Sequence, residues 1–137
     1  MNSLKYLLTV LFCQTIFSLS AQFDTEGKLV KNGGLHLDTQ GNTINAHGGG
    51  FLQHGDTWYW VGENRKKGIL VSLYKSKDLI NWMFCADLLT RNSHPELADA
   101  NLERPKIIYN DSTKQFVMWM HYEKKSDYSL ARAAVAY

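Results

Sequence analysis

Two cysteines and two prolines in 137 residues leave this chain with few covalent or conformational staples. Cys13 falls in an N-terminal apolar run, and Cys85 is the single thiol in the remainder of the chain, so no internal disulfide can hold the fold. Net charge is also scarce. Fifteen Lys and Arg against thirteen Asp and Glu give a formal +2, which offers no basis for binding nucleic acid or an acidic membrane surface. No long amphipathic helix is legible beyond the N-terminal run. No Lys-Ser or Lys-Thr pair follows the glycines at 48–50 and no helix begins there, which argues against a phosphate-binding loop. His47, His54 and His121 show no recognised ligand spacing, so no metal and no other cofactor is expected.

The composition is globular, 45% hydrophobic, 12% aromatic and 20% charged, and an apolar core must carry stability. Met1-Asn2-Ser3-Leu4-Lys5, the apolar run Tyr6 to Phe17 and the small residues around Ser20 and Ala21 read as a signal peptide, with cleavage after Ser20 or Ala21. The bulky Val10-Leu11-Phe12 before Cys13 disfavours a lipoprotein signal. The expectation is therefore a secreted protein, extracellular or periplasmic, free of the membrane once residues 1–21 are removed. Residues 22–43 form a lead-in, and Cys85 is expected in the core.

Strand patterns dominate the mature chain, which reads as all-β. Phe51 to Gln53, the turn His54-Gly55-Asp56, the aromatic strand Thr57 to Glu63, Ile69 to Tyr74 and Trp82 to Phe84 make one antiparallel set. Lys106 to Tyr109, a polar turn at 110–114, Phe116 to Tyr122 and Leu130 to Tyr137 make a second. The two sets repeat at about 55 to 60 residues as strand, polar turn, aromatic strand, a spacing suited to propeller blades. Blade 1 is placed at about 44–90 and an incomplete blade 2 at about 103–137. Two blades cannot hide their apolar faces, so the chain is expected to be truncated.

Glu103-Arg104-Pro105-Lys106 sets a carboxylate and a guanidinium at the mouth of a hairpin. Pro105 cannot donate to a ladder and biases the preceding residue toward extended backbone. It is expected as the first strand residue, with Glu103 and Arg104 just outside the sheet. The competing reading is an exposed ion pair at a strand end. Tyr59 and Trp60 point to opposite faces of one strand, so at most one can serve a ligand site while the other packs. The glycines at 48–50 suit a place where backbone approaches an axis or a ligand.

Ile44-Asn45-Ala46-His47-Gly48-Gly49-Gly50, Trp58-Tyr59-Trp60-Val61-Gly62-Glu63, Ser76-Lys77-Asp78-Leu79-Ile80-Asn81-Trp82 and Glu103-Arg104-Pro105-Lys106 together resemble the start of a glycoside hydrolase of family 43, in its exo-β-1,3-galactanase-like branch. The resemblance implies a five-bladed β-propeller with a sugar site on its axis, a polysaccharide or oligosaccharide substrate, and inverting hydrolysis. It implies Glu103 as the carboxylate that tunes the general acid, and Glu63, Arg104, Tyr128 and His47 as sugar contacts. Ala46-His47-Gly48 stands where most of the family carries an aspartate base, a departure shared by the galactanase-like branch. The general acid is expected on a third blade, so the chain itself is expected to be inactive. A non-catalytic carbohydrate-binding propeller, or an arabinofuranosidase or xylosidase of the same family, are the alternatives.

Overall fold

The computed structural model describes residues 33–137, and they form seven strands and one short 3-10 turn. The signal segment and the first half of the lead-in, residues 22–32, lie outside the described residues. β1 (His47–His54), β2 (Thr57–Glu63), β3 (Ile69–Ser76) and β4 (Met83–Thr90) make an antiparallel sheet in chain order. After the turn at Pro95–Leu97, β5 (Ala100–Asn110), β6 (Gln115–Lys124) and β7 (Asp127–Ala136) make a second antiparallel sheet. The all-β reading and the division into two sets of four and three strands hold.

Local chemistry explains the turns. Gly55 takes a left-handed φ of 61° between β1 and β2, a conformation glycine adopts without a Cβ penalty. Asn110 Oδ1 accepts the backbone N–H groups of Ser112 and Thr113 at 3.0 and 3.2 Å, closing the β5–β6 turn. Between β3 and β4, Asp78 accepts from the backbone of Ile80 and Asn81 at 2.9 and 2.7 Å. That loop delivers Trp82 to the interior.

The first sheet carries a buried cluster on each face. On one, Val61, Leu70 and Val71 meet Leu102, Met118 and Met120 of the second sheet. On the other, Ile44 and Ala46 of the incoming chain close over Tyr74 and Trp82, with Trp58 and Trp60 packed against them. β5 lies against β1 and β2, so the inner edges of the two sheets meet. Backbones approach closely here: a Cβ on Gly49 would overlap the Val61 carbonyl oxygen, and one on Gly62 would overlap the Ala46 backbone. The face of the second sheet that carries Ile108, Trp119 and Val135 is exposed among the described residues.

Two expectations fail. β5 begins at Ala100, so Glu103 sits inside the ladder opposite His121, and Pro105 is an interior strand residue. The register shifts between Glu103 and Lys106, and Arg104 adopts φ 52° rather than extended backbone. A β-bulge absorbs the proline's missing donor, and the tertiary position overrides the pre-proline preference. Cys85, expected in the core, is exposed, because it lies on β4, the outer strand of its sheet.

Candidate functional site

The bulge at Arg104-Pro105 is what makes a site. It buries Pro105 and turns the Arg104 side chain outward, beside the end of β2 where Glu63 stops the aromatic strand. Gly48, at φ 54°, keeps this corner open: a Cβ there would stand 2.9 Å from Glu63 Oε1. Glu63 is only 9% exposed and accepts the Arg104 backbone N–H at 3.3 Å, with a long contact of 3.4 Å from the exposed Arg65 guanidinium. Glu63, Glu103 and Tyr128 line one open cleft of about 740 Å³. Its wall also carries Arg65, Lys66, Lys67, Arg91 and Lys125, a cationic rim around two carboxylates.

Glu103 is held from two sides. The Tyr128 hydroxyl donates to Oε1 at 2.8 Å, and the His121 ring lies 3.4 Å from Oε2. The Tyr128 hydroxyl keeps the Glu103 carboxyl below the usual glutamate range, with His121 and the Arg104 charge acting the same way against partial burial. The same bond raises the Tyr128 hydroxyl above its ordinary value, so it stays a donor. Asn101 Nδ2 donates to the Tyr128 oxygen at 3.0 Å and fixes the ring's tip. Behind His121 lies Glu123, 1% exposed, whose Oε1 is 2.9 Å from His121 Nε2.

Of the residues named from sequence, Glu63, Glu103, Arg104 and Tyr128 come together at this corner. His47 is paired in register with Glu63 but is exposed, and its side chain makes no hydrogen bond among the described residues. Neither Tyr59 nor Trp60 reaches the corner. Trp60 packs on Phe51, Tyr74 and Trp82, and Tyr59 lines a separate groove with Lys75, Ser76 and Met83. Sequence reasoning missed Asn101, His121 and Glu123. A signal for the last two existed, since an alternating His-x-Glu on an otherwise apolar strand places two polar groups on one face.

Chemically, the corner offers two carboxylates that accept from hydroxyl groups, the Tyr128 oxygen, whose single hydrogen is already given to Glu103, and a donor in the Arg104 guanidinium, which makes no salt bridge among the described residues. That donor and acceptor set suits a polyol with adjacent hydroxyls.

No family model and no curated protein matches the chain. Among solved structures it is similar to an exo-β-1,3-galactanase from Clostridium thermocellum, with 55% identity over 79% of this chain and 24% of that one, at a TM-score of 0.75. It is 41% identical to a β-1,3-galactosidase of family GH43 solved with galactodeoxynojirimycin, covering 78% of this chain and 34% of that one, with a TM-score of 0.71. An exo-β-1,3-galactanase from Phanerochaete chrysosporium, solved with β-1,3-galactotriose, is 38% identical over 78% of this chain and 26% of that one, with a TM-score of 0.72. The chain thus spans about a quarter to a third of the length of these enzymes.

Proposed function

The chain belongs to glycoside hydrolase family 43, and from that membership we propose that it supplies the sugar-binding and charge-tuning corner of a secreted glycosidase that cleaves β-1,3-galactan by inverting hydrolysis. The observation that carries the reading is Glu103, an ionised carboxylate between Tyr128 and His121 at the mouth of a polar cleft.

A general acid must be protonated near neutral pH, which requires a raised pKa, and Glu103 is shifted the other way. Its charge instead suits holding a proton on a neighbouring acid and accepting from a sugar hydroxyl. Glu63 accepts a second hydroxyl, Arg104 donates to a hydroxyl pair through its planar fork, and Tyr128 closes on the ring from β7. His47, exposed and paired in register with Glu63, is a further candidate sugar contact. The acid that protonates the leaving oxygen and the base that activates water belong to further blades of a five-bladed propeller. The exposed Ile108, Trp119 and Val135 face is the kind of surface a neighbouring blade covers. Residues 1–137 alone are then inactive.

A chimera tests this. Residues 44–137 replace the matching segment of the 55% identical C. thermocellum enzyme, whose fold they share. The expected result is β-1,3-galactan hydrolysis that falls by orders of magnitude on Glu103→Gln with the fold intact. A folded chimera that binds galactotriose without turnover supports a carbohydrate-binding role instead, and one that does neither rejects the sugar reading.

A further inference from the structure

We propose that Glu123 and His121 are positioning residues for Glu103, with the buried Glu123 fixing both side chains that touch the Glu103 carboxylate. The role rests on the sugar-site reading, while its structural content stands on the contacts of Glu123 itself. Through Oε1, Glu123 meets His121 Nε2 at 2.9 Å and accepts the Ala131 backbone N–H at 2.7 Å. Through Oε2 it accepts the Leu130 N–H at 3.0 Å. One carboxylate therefore orients the imidazole from beneath and anchors the start of β7, the strand that carries Tyr128.

The anchoring is visible in the backbone. The β6–β7 register shifts between Tyr122 and Lys124, and Ala131 sits at φ 46°, a left-handed conformation that an alanine holds only where its surroundings impose it. The two amides bonded by Glu123 belong to Ala131 and to the residue before it. Tyr128, three positions ahead of Ala131, then stands 2.8 Å from Glu103 Oε1, while His121 approaches Oε2 from the other side. Burying a carboxyl group is unfavourable unless each oxygen finds a partner, and here both do, so the arrangement fixes one geometry. Glu103 is faced by Tyr128 from β7, His121 from β6 and its neighbour Arg104, and Glu63 of β2 faces Tyr128.

The test uses the full chain, labelled with carbon-13, with the Glu103 side-chain carboxyl assigned by its loss in Glu103→Gln and followed through a pH titration. His121→Phe keeps a ring and removes both polar contacts. It is expected to move the Glu103 titration up toward the ordinary glutamate range and to weaken β-1,3-galactobiose binding about 3- to 10-fold, the effect of one lost hydrogen bond, without a comparable fall in melting temperature. Glu123→Gln is expected to shift Glu103 in the same direction. A folded His121→Phe chain with an unmoved Glu103 titration overturns the proposal. Should His121→Phe not fold, His121→Gln carries the same readout, and a chain that folds only with histidine assigns His121 to the fold and also overturns it. If the wild-type chain binds no galactobiose, the sugar reading fails, while the Glu103 titration still decides the positioning role.

Discussion

The backbone amide of Arg104, not its guanidinium, donates to the Glu63 carboxylate at 3.3 Å, joining two sheets through residues 41 positions apart. The side chain is thereby left for a ligand, and the backbone bond survives any substitution except proline. Arg104→Ala is expected to lose affinity for β-1,3-galactobiose while retaining the fold. Arg104→Gly should lose the same affinity yet melt higher than Arg104→Ala, because a Cβ at φ 52° carries a penalty of about 1–2 kcal/mol that glycine lacks. Equal affinity in wild type and Arg104→Ala, measured calorimetrically, would remove Arg104 from the site.

Tyr128→Phe removes the donor at 2.8 Å from Glu103 and keeps the ring. Since that bond is the main cause of the lowered Glu103 pKa, the carboxyl titration should rise, and sugar affinity should fall by about 1 kcal/mol. The same carboxyl-resolved titration reads the first effect, and an unchanged curve contradicts it.

Acid should destabilise the chain in a defined window. Asp78 is held below the usual range mainly by the Asn81 backbone N–H, Asp38 by that of Asn42, Asp56 by the Lys77 ammonium, Asp127 by the Ser129 hydroxyl and Glu103 by Tyr128. Each folded-state pKa lies below its unfolded value, so the stabilisation is complete above the ordinary carboxylate range and is lost as pH falls through the lowered folded values. Melting temperature should hold from neutral pH to about 5 and drop below it. Asp78→Asn should melt lower than wild type at pH 7, with the gap starting to narrow only below about pH 4 and persisting in part at pH 3; a gap independent of pH would mean that the ionised form contributes nothing.

Gly62→Ala is expected to cost more than the roughly 1–3 kcal/mol of ordinary overpacking, because the added methyl meets Ala46 main chain rather than a side chain that can rotate. Gly55→Ala, where nothing stands within 4 Å, should show only the milder penalty of its left-handed φ. Chemical denaturation of both variants gives the comparison, and similar midpoints would deny the close approach.

Legibility followed the range of the forces involved. β2 was readable to the residue, Thr57 to Glu63, because an aromatic run bounded by Gly55-Asp56 and a terminal carboxylate is a local signal. Glu63, Glu103, Arg104 and Tyr128 were readable as a set only through their likeness to a family. The start of β5 was not: Ala100-Asn101-Leu102-Glu103 alternates, but over only four residues, and the proline rule pointed to a strand beginning at Pro105. The bulge that reconciles a proline with a ladder is decided by β6 and by Glu63, far away in sequence. Cys85 was misplaced because burial on β4 depends on what covers the outer strand, which composition does not encode.

Lys106, the residue after the bulged Arg104-Pro105 pair, reaches from β5 to the carbonyl oxygens of Gly48 and Gly49 on β1. Strand edges with unfilled carbonyls are templates for incoming chains, and here the inner edges of both sheets lie side by side. An ammonium spanning two of those acceptors makes the seam unsuited to zipping: the sheets cannot merge into one continuous ribbon at this point, and a foreign strand meets a charge before it meets a partner. The lysine thus acts as a guard on assembly as well as a strut, keeping two sheets separate where their backbones come closest.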